Sequence, residues 1–301
     1  MKKKILAGIL SLSLFYGGTA DAARYFMQYD AKGVKTPYGD NLKAGNYVQT
    51  SDAKIYYEVY GKGDPILILH GGGVGSPYEM GKMLDELKKK HKLIVMSTRG
   101  HGRSEIGHTP FTYRQKADDA IAVLNATVDE PVKILGFSDG AYTAYEIAAL
   151  YPQYVDRIAA IGAGTLQAGF FSGEMRVEDM EKLDAEFIAY EKTIMPEPER
   201  LQEFYTKYMD FWNKMSVGEE TFGAIKCPTL LIVGDEDDHA PVVTVVEAHQ
   251  LIPNSRLCVV PKAWHSAWLD NFDVTWTAIK QFMNAPYETL QPSKKVELNS
   301  R

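Results

Sequence analysis

The residues with the clearest chemical meaning read Gly-Phe-Ser-Asp-Gly at positions 136–140. They follow an apolar run at residues 132–135 and precede a helical pattern, so Ser138 would stand on a sharp turn between a strand and a helix. The flanking glycines leave room for that turn, and the positive end of the helix lies beside the hydroxyl. Such a serine is suited to nucleophilic attack on a carbonyl carbon, and an ordinary turn is the alternative interpretation.

A second glycine-rich segment would stabilise the negative oxygen that forms when a carbonyl is attacked. His-Gly-Gly-Gly at residues 70–73 follows a continuous apolar run at residues 65–69. Because two backbone N–H groups fixed in advance stabilise an oxyanion well, we predict that Gly72 and Asp139 donate them, with Gly73 as the alternative to Gly72. A phosphate loop is the competing interpretation, but the sequence has no G-x-G-x-x-G or G-K-[ST] pattern there. Three residues beside these groups are candidates for contact with the substrate: Gly73, Phe137 and Trp264.

An activated serine needs a base, and the base needs an acid that orients it. His265 follows an apolar run at residues 257–260 and is the candidate base, since the other histidines lie on or beside helices, precede the serine or share an acidic loop. That loop follows the run at 229–233, and the residues alone leave the choice of acid open among Asp235, Glu236, Asp237 and Asp238. The acidic loop could instead bind a cation, but it lacks the D-x-[DN]-x-[DN]-G pattern. We expect neither a metal ion nor an organic cofactor.

The segments that position these residues alternate between strand and helix, which indicates a mostly parallel sheet with helices on both faces. On the helix that contains Ala117, both Asp118 and Asp119 are expected to face solvent. Residues 165–225 break the alternation with helical, aromatic-rich patterns that predict a cap; its aromatics line a pocket or only hold the cap together. We divide the chain into a signal peptide (1–22), an N-terminal extension (23–45), the first part of the core (46–164), the helical cap (165–225), the second part of the core (226–285) and a loose C-terminal tail (286–301).

The first residues indicate export. Three lysines at positions 2–4 precede an apolar run at 5–16, and residues 20–22 read Ala-Asp-Ala, which predicts a signal peptide cleaved near Ala22 and a periplasmic or secreted protein. An uncleaved anchor is the alternative, but the run is too short to span a bilayer comfortably, so we expect no stable membrane insertion after cleavage. The formal net charge is −6, and loss of residues 1–22 removes a net +2 and leaves −8. Such a surface is a poor match for nucleic acid.

The chain has two cysteines, Cys227 and Cys258, at or in two successive predicted strands. An exported protein can form disulfides, so the two could pair. Two small buried thiols are the alternative, and the spacing is not that of a metal site.

Four blocks of sequence, in order, resemble the α/β-hydrolase superfamily over residues 46–285. They are the opening at 57–72, Arg-Gly-His-Gly-Arg-Ser at 99–104, the serine turn at 136–140, and Cys-Pro-Thr at 227–229 with the strand and glycine that follow. In that family the acid stands three residues after this glycine and a proline four residues further on, so the resemblance implies Asp237, with Pro241, as the acid. Ser-Asp-Gly in the serine turn is similar to the valacyclovir-hydrolase-like esterase branch.

The resemblance implies an α/β-hydrolase fold and a serine hydrolase that cleaves a small carboxylic ester through an acyl-enzyme, with Ser138, His265 and Asp237 as its triad. Dehalogenases and epoxide hydrolases of this fold carry an aspartate where this chain has Ser138, which argues against both. An amidase or aminopeptidase, a C–C bond hydrolase and an acyltransferase of the same fold remain alternatives, as does a non-catalytic ligand-binding protein. The sequence leaves the substrate and the oligomeric state open.

Overall fold

The computed structural model of the protein describes residues 34–291. The predicted signal peptide at residues 1–22, the first part of the predicted extension and residues 292–301 lie outside the described residues. Within residues 34–291, no helix is long and apolar enough to cross a membrane.

One sheet of eight strands forms the centre of the described chain. The strands are β1 (Gly45–Gln49), β2 (Lys54–Tyr60), β3 (Pro65–Leu69), β4 (Lys92–Met96), β5 (Val132–Phe137), β6 (Val155–Ile161), β7 (Thr229–Gly234) and β8 (Ser255–Val260). Their spatial order is β1-β2-β4-β3-β5-β6-β7-β8. The pairs β1–β2 and β2–β4 are antiparallel, and every other pair is parallel. The carboxyl ends of β5, β7 and β8 therefore meet at one edge of the sheet, where sites form in folds of this kind.

Ten α-helices of the described chain flank or cover this sheet. They are α1 (Gly81–Leu87), α2 (Tyr113–Asn125), α3 (Asp139–Leu150), α4 (Val177–Leu183), α5 (Ala185–Ile194), α6 (Leu201–Lys214), α7 (Glu219–Ala224), α8 (Val242–Leu251), α9 (Ala267–Asp270) and α10 (Phe272–Asn284). Helices α4 to α7 all lie between β6 and β7 and form the helical cap insertion. Helices α1, α2, α3 and α8 each follow one strand, as in the predicted alternation, and α9 and α10 both follow β8.

Two apolar cores lie on opposite faces of the sheet because successive side chains of a strand point to opposite sides. In β3, Leu67 and Leu69 join a core with helices α2, α3 and α8. Ile66 and Ile68 join a second core with α1, α9 and α10. This explains why β3 is a continuous apolar run, since both of its faces are covered.

The cap is held by the amphipathic helix α6. Its buried residues recur at spacings of three and four, which is one face of a helix: Leu201, Phe204, Tyr205, Tyr208, Met209 and Phe211. His101, in the turn after β4, packs edge-on against Phe204 and Tyr208, with ring centroids 5.0 and 5.3 Å apart. Phe204 and Tyr208 thus hold the cap to the core, and the end of α6 reaches the serine turn.

The expectation that Asp119 faces solvent is wrong. Asp118 is exposed, but Asp119 is buried and accepts hydrogen bonds from Arg99, with Nε–Oδ2 and Nη2–Oδ1 distances of 2.9 and 2.8 Å. Arg99 is fully buried in the turn after β4, and a buried guanidinium needs a carboxylate partner. The helix therefore turns a charged residue toward the core.

The two cysteines are free thiols in the structure. They stand next to and in neighbouring strands, but Cys258 pairs in register with Ile232, five residues beyond Cys227. Five residues of strand span roughly 16 Å, whereas the Cα atoms of a disulfide lie about 4.4–6.8 Å apart. The thiol interpretation is the one that this register allows.

The predicted loose tail begins with an ordered turn. Tyr287–Leu290 forms a short 3-10 helix, and Leu290 is buried in the core that contains α10. Arg256 of β8 donates a hydrogen bond to the carbonyl oxygen of Thr289 at 3.1 Å. The apolar side chain of Leu290 gives this short segment a group to bury in the core.

Candidate active site

Ser138 stands at the junction of β5 and α3, immediately before the helix. Its φ of 51° and ψ of −117° lie in a region that residues other than glycine rarely adopt. Close packing explains the flanking glycines: a Cβ on Gly140 would come 2.3 Å from the carbonyl oxygen of Leu69, and one on Gly136 would come 2.6 Å from that of Gly140. The turn therefore holds a partly exposed serine hydroxyl at the carboxyl edge of the sheet.

His265, on the loop between β8 and α9, bridges Ser138 and Asp237. Its Nε2 atom lies 2.8 Å from Ser138 Oγ. Its Nδ1 atom lies 2.9 Å from Asp237 Oδ2 and 3.0 Å from Oδ1. The three predicted site residues come from loops after three different strands, and the parallel sheet brings them into one hydrogen-bonded chain.

Asp237 is buried, and its carboxylate is satisfied on two sides. Besides His265, the backbone N–H groups of His239 and Ala240 each donate to its Oδ1 at 2.9 Å. Burial opposes ionisation, but the neighbouring His265 and these hydrogen bonds outweigh it and hold the pKa of the Asp237 carboxyl below its usual value. Asp237 is therefore an ionised acceptor at neutral pH.

The other aspartates of this loop have different partners. Asp235 accepts a hydrogen bond from the backbone N–H of Ala263 at 3.1 Å, which ties the acidic loop to the His265 loop. Asp238 lies 2.8 Å from His239 Nδ1, and that contact lowers the pKa of its carboxyl. The imidazole of His239 stacks on that of His265, with centroids 4.7 Å apart and an interplanar angle of 23°.

Asp237, His239 and His265 each offer one metal-ligating atom, and these atoms lie within 4.8 Å of one another. The two imidazole planes are nearly parallel, however, so their in-plane nitrogen lone pairs do not converge on one point. A metal ion here would have to turn the His239 ring and draw His265 away from its present hydrogen bonds. The arrangement suits a hydrogen-bonded chain better than a metal centre.

The glycine loop after β3 lies against the cap. A Cβ on Gly72 would come 2.6 Å from the ring of Trp212 and 2.8 Å from that of Tyr208. Gly73 has a φ of 70°, and a Cβ there would meet Met175 at 3.2 Å and Trp212 at 3.4 Å. The loop needs glycines because α6 approaches it so closely. The N–H of Gly72 as an oxyanion donor stays a prediction, as does substrate contact at Gly73.

A buried acid that sequence reasoning missed supports this loop. The N–H of Gly71 donates to Glu79 Oε1 at 3.2 Å. Burial raises the pKa of Glu79 to about 8, so its side chain is mostly protonated at neutral pH. The indole N–H of Trp268 donates to the Glu79 carbonyl oxygen at 3.1 Å. No sequence pattern distinguishes Glu79 from a solvated acid before a helix.

Phe137 and Trp264, both candidates for substrate contact, have different surroundings. The buried ring of Phe137 packs against His265 and Trp268, with centroids 4.9 and 4.6 Å apart. It supports the imidazole of the candidate base. Trp264 is 38% exposed, and its backbone N–H donates to Asp270 at 2.8 Å. Contact of either residue with a substrate stays a prediction.

The side chain of Asp139 is the centre of a buried polar cluster that sequence reasoning also missed. Its Oδ2 forms an ion pair with Lys116 of α2 and accepts a hydrogen bond from the Tyr208 hydroxyl at 2.7 Å. Its Oδ1 accepts from Trp212 Nε1 at 3.2 Å and from the Tyr113 hydroxyl at 3.3 Å. We call these five residues the Asp139 cluster. Tyr208 and Trp212 lie one helical turn apart on α6, which is the only sequence signal of it.

Comparison with known proteins decides the family. A family model described as the alpha/beta hydrolase fold matches residues 64–190. The chain belongs to the α/β-hydrolase superfamily. The human serine hydrolase BPHL is 24% identical to this α/β hydrolase over 257 residues, which are 79% of this chain and 85% of that protein.

Two solved structures show how widely the fold is used. A meta-cleavage product hydrolase from Pseudomonas fluorescens superposes on this α/β hydrolase with a TM-score of 0.67 and 20% identity, and the match covers 81% of this chain and 99% of that one. A thermophilic esterase from Thermogutta terrifontis gives a TM-score of 0.63 and 19% identity over 79% of this chain and 97% of that one. These two proteins are named for different reactions. The similarity therefore shows the hydrolase fold and does not identify the substrate.

Proposed function

We propose that this α/β hydrolase is a serine esterase that cleaves a small carboxylic ester through an acyl-enzyme. The observation that carries the proposal is the chain from Ser138 Oγ to His265 Nε2 at 2.8 Å and from His265 Nδ1 to Asp237 at 2.9 Å. In this arrangement His265 accepts the serine proton, while ionised Asp237 keeps Nδ1 protonated and stabilises the imidazolium.

The reaction would proceed in two halves. Ser138 attacks the ester carbonyl, and the oxyanion forms at the N-terminus of α3, where the N–H groups of Asp139 and Gly72 donate to it. His265 passes its proton to the leaving alkoxide, and the acyl group stays on the serine. Water, deprotonated by His265, then hydrolyses the acyl-enzyme.

Ester cleavage requires less chemistry from the groups of this site than cleavage of a C–C bond or an amide. An alkoxide leaves with the one proton that His265 has just taken from Ser138. Cleavage of a C–C bond also requires a proton on carbon, and amide cleavage requires a poorer leaving group to depart. Because a meta-cleavage product hydrolase shares the fold, a vinylogous dione belongs in the substrate panel beside esters and anilides.

The test is labelling by a fluorophosphonate probe and mass spectrometry of the modified peptide. We expect labelling at Ser138, loss of labelling in Ser138→Ala, and a fall in kcat on short-chain p-nitrophenyl esters of at least about 10⁴-fold in that variant. Ser51→Ala, an exposed serine outside the site, is the matched control and should behave as wild type. Esterase activity that survives Ser138→Ala would refute the proposal. A folded wild type without labelling would favour a non-catalytic ligand-binding protein, and preference for the dione would favour a C–C hydrolase.

A further inference from the structure

The Asp139 cluster addresses an electrostatic problem in the proposed reaction. The N–H of Asp139 is a predicted oxyanion donor, yet its carboxylate carries a negative charge one residue beyond the nucleophile. In a site shielded from water, a like charge close to a developing oxyanion opposes its formation. Lys116 brings a compensating positive charge, and the side chains of both residues are only 1% exposed.

We propose that Lys116 is a positioning residue of this active site, which neutralises the Asp139 carboxylate beside the oxyanion and locks the serine turn to the cap. The inference rests on the proposed function, because it assigns Lys116 a part in stabilising the oxyanion of that reaction. Lys116 itself touches no reacting atom and acts through Asp139 and Tyr208.

The contacts of Lys116 join three parts of the fold. Its Nζ donates to both Asp139 Oδ2 and the Tyr208 hydroxyl, and it lies 4.4 Å from the centroid of the Tyr208 ring. The same hydroxyl donates to Asp139 at 2.7 Å and accepts from the backbone of Gly73. One fully buried hydrogen-bond network therefore joins the serine turn, the glycine loop and the cap helix α6. Each partner of such a network fixes the others, and loss of one leaves a buried group unpaired.

The charge of Lys116 is balanced by Asp139. Burial lowers the pKa of the Lys116 ammonium, and the adjacent Asp139 carboxylate opposes that shift. Asp119, on the same helix, also favours the charged ammonium. His70 and His101 face it as well, and burial lowers the pKa of both imidazoles, that of His70 to about 4, so both are neutral at neutral pH. One negative and one positive charge thus remain beside the serine turn.

A double-substitution experiment separates this electrostatic part from a structural one. We expect Lys116→Met to lower kcat on a short-chain p-nitrophenyl ester at least about tenfold with KM within about threefold, because a lone buried carboxylate then faces the oxyanion. Adding Asp139→Asn to Lys116→Met should raise kcat at least about tenfold above that of Lys116→Met, since neither charge then remains. Lys133→Met is the matched control: Lys133 lies on β5, is mostly buried and pairs with Asp64, and this substitution should leave kcat unchanged.

The order of activities tests the inference even where Lys116→Met does not fold. Asp139→Asn alone also removes the carboxylate beside the oxyanion but keeps Lys116 and its contact with Tyr208, so its kcat should equal or exceed that of the double variant. Three results would each overturn the inference. They are equal losses of kcat in Lys116→Met and the double variant, a wild-type kcat in folded Lys116→Met, and a kcat of the double variant above that of Asp139→Asn. An inactive, unlabelled wild type would overturn the proposed function and this inference together, whereas an active wild type isolates a failure of the inference alone.

Discussion

At the scale of single residues, Asp237 shows how one acid in a crowded loop becomes the partner of His265, the candidate base. It lies within 3.0 Å of His265 Nδ1 through both carboxylate oxygens, and its lowered pKa keeps it ionised. We expect Asp237→Asn to lower kcat by about 10⁴-fold, because an amide can donate to Nδ1 and favour the wrong tautomer. Asp238→Asn removes an equal charge one residue away and should change kcat less than about threefold on the same ester. Similar losses in the two variants would contradict this choice of acid.

The residues that could be predicted from the sequence are those with local signatures. Ser138 stands in a pattern of glycines between a strand and a helix, and His265 follows an apolar run at the right place in the chain. The choice of Asp237 required the resemblance to a family, because four adjacent acids look alike. Lys116 was missed, and Asp119 was wrongly expected to face solvent, because a charged residue on a helix looks solvated until its partner, twenty or more residues away, is known.

At the scale of elements, the strands and helices of the core were largely predictable from their apolar periods. Strand β3 coincides with the apolar run at residues 65–69. Helix α10 begins at Phe272 because the side chain of Asn271 accepts a hydrogen bond from the N–H of Val274 and caps the helix. The cap was predicted only as helical, since nothing local to α6 shows that Tyr208 and Trp212 reach the serine turn.

Two glycines in helices have opposite surroundings, and this gives a paired prediction. A Cβ on Gly140 in the first turn of α3 would collide with the backbone of Leu69, whereas one on Gly223 in α7 would meet nothing within 4 Å. Gly140→Ala should lower the free energy of unfolding by about 1–3 kcal/mol and reduce kcat, because β3 or the serine turn must shift. Gly223→Ala should raise stability by up to about 1 kcal/mol. Urea unfolding of both variants checks the signs, and a Gly140→Ala protein as stable as wild type would contradict the packing argument.

At the scale of the whole molecule, the sheet order explains how residues far apart in sequence form one site. Strands β5, β6, β7 and β8 are parallel neighbours, so the loops after β5, β7 and β8 all leave the same edge of the sheet. The cap inserted after β6 then covers this edge from above through α6. Alternation alone predicted the parallel sheet, but the packing of the cap depends on contacts that no single segment encodes.

The predicted export and the two thiols can be tested on the same molecule. Expressed from the full sequence in a bacterial host, the protein should appear in the periplasm with the mass of a chain that begins at Ala23. A version without residues 1–22 should stay in the cytoplasm. Both forms should carry two free thiols, counted by alkylation under denaturing conditions without reductant, because the register of β7 and β8 holds Cys227 and Cys258 roughly 16 Å apart. A periplasmic protein of full-length mass would contradict cleavage near Ala22. A mature protein without free thiols would contradict the distance between Cys227 and Cys258 that this strand register implies.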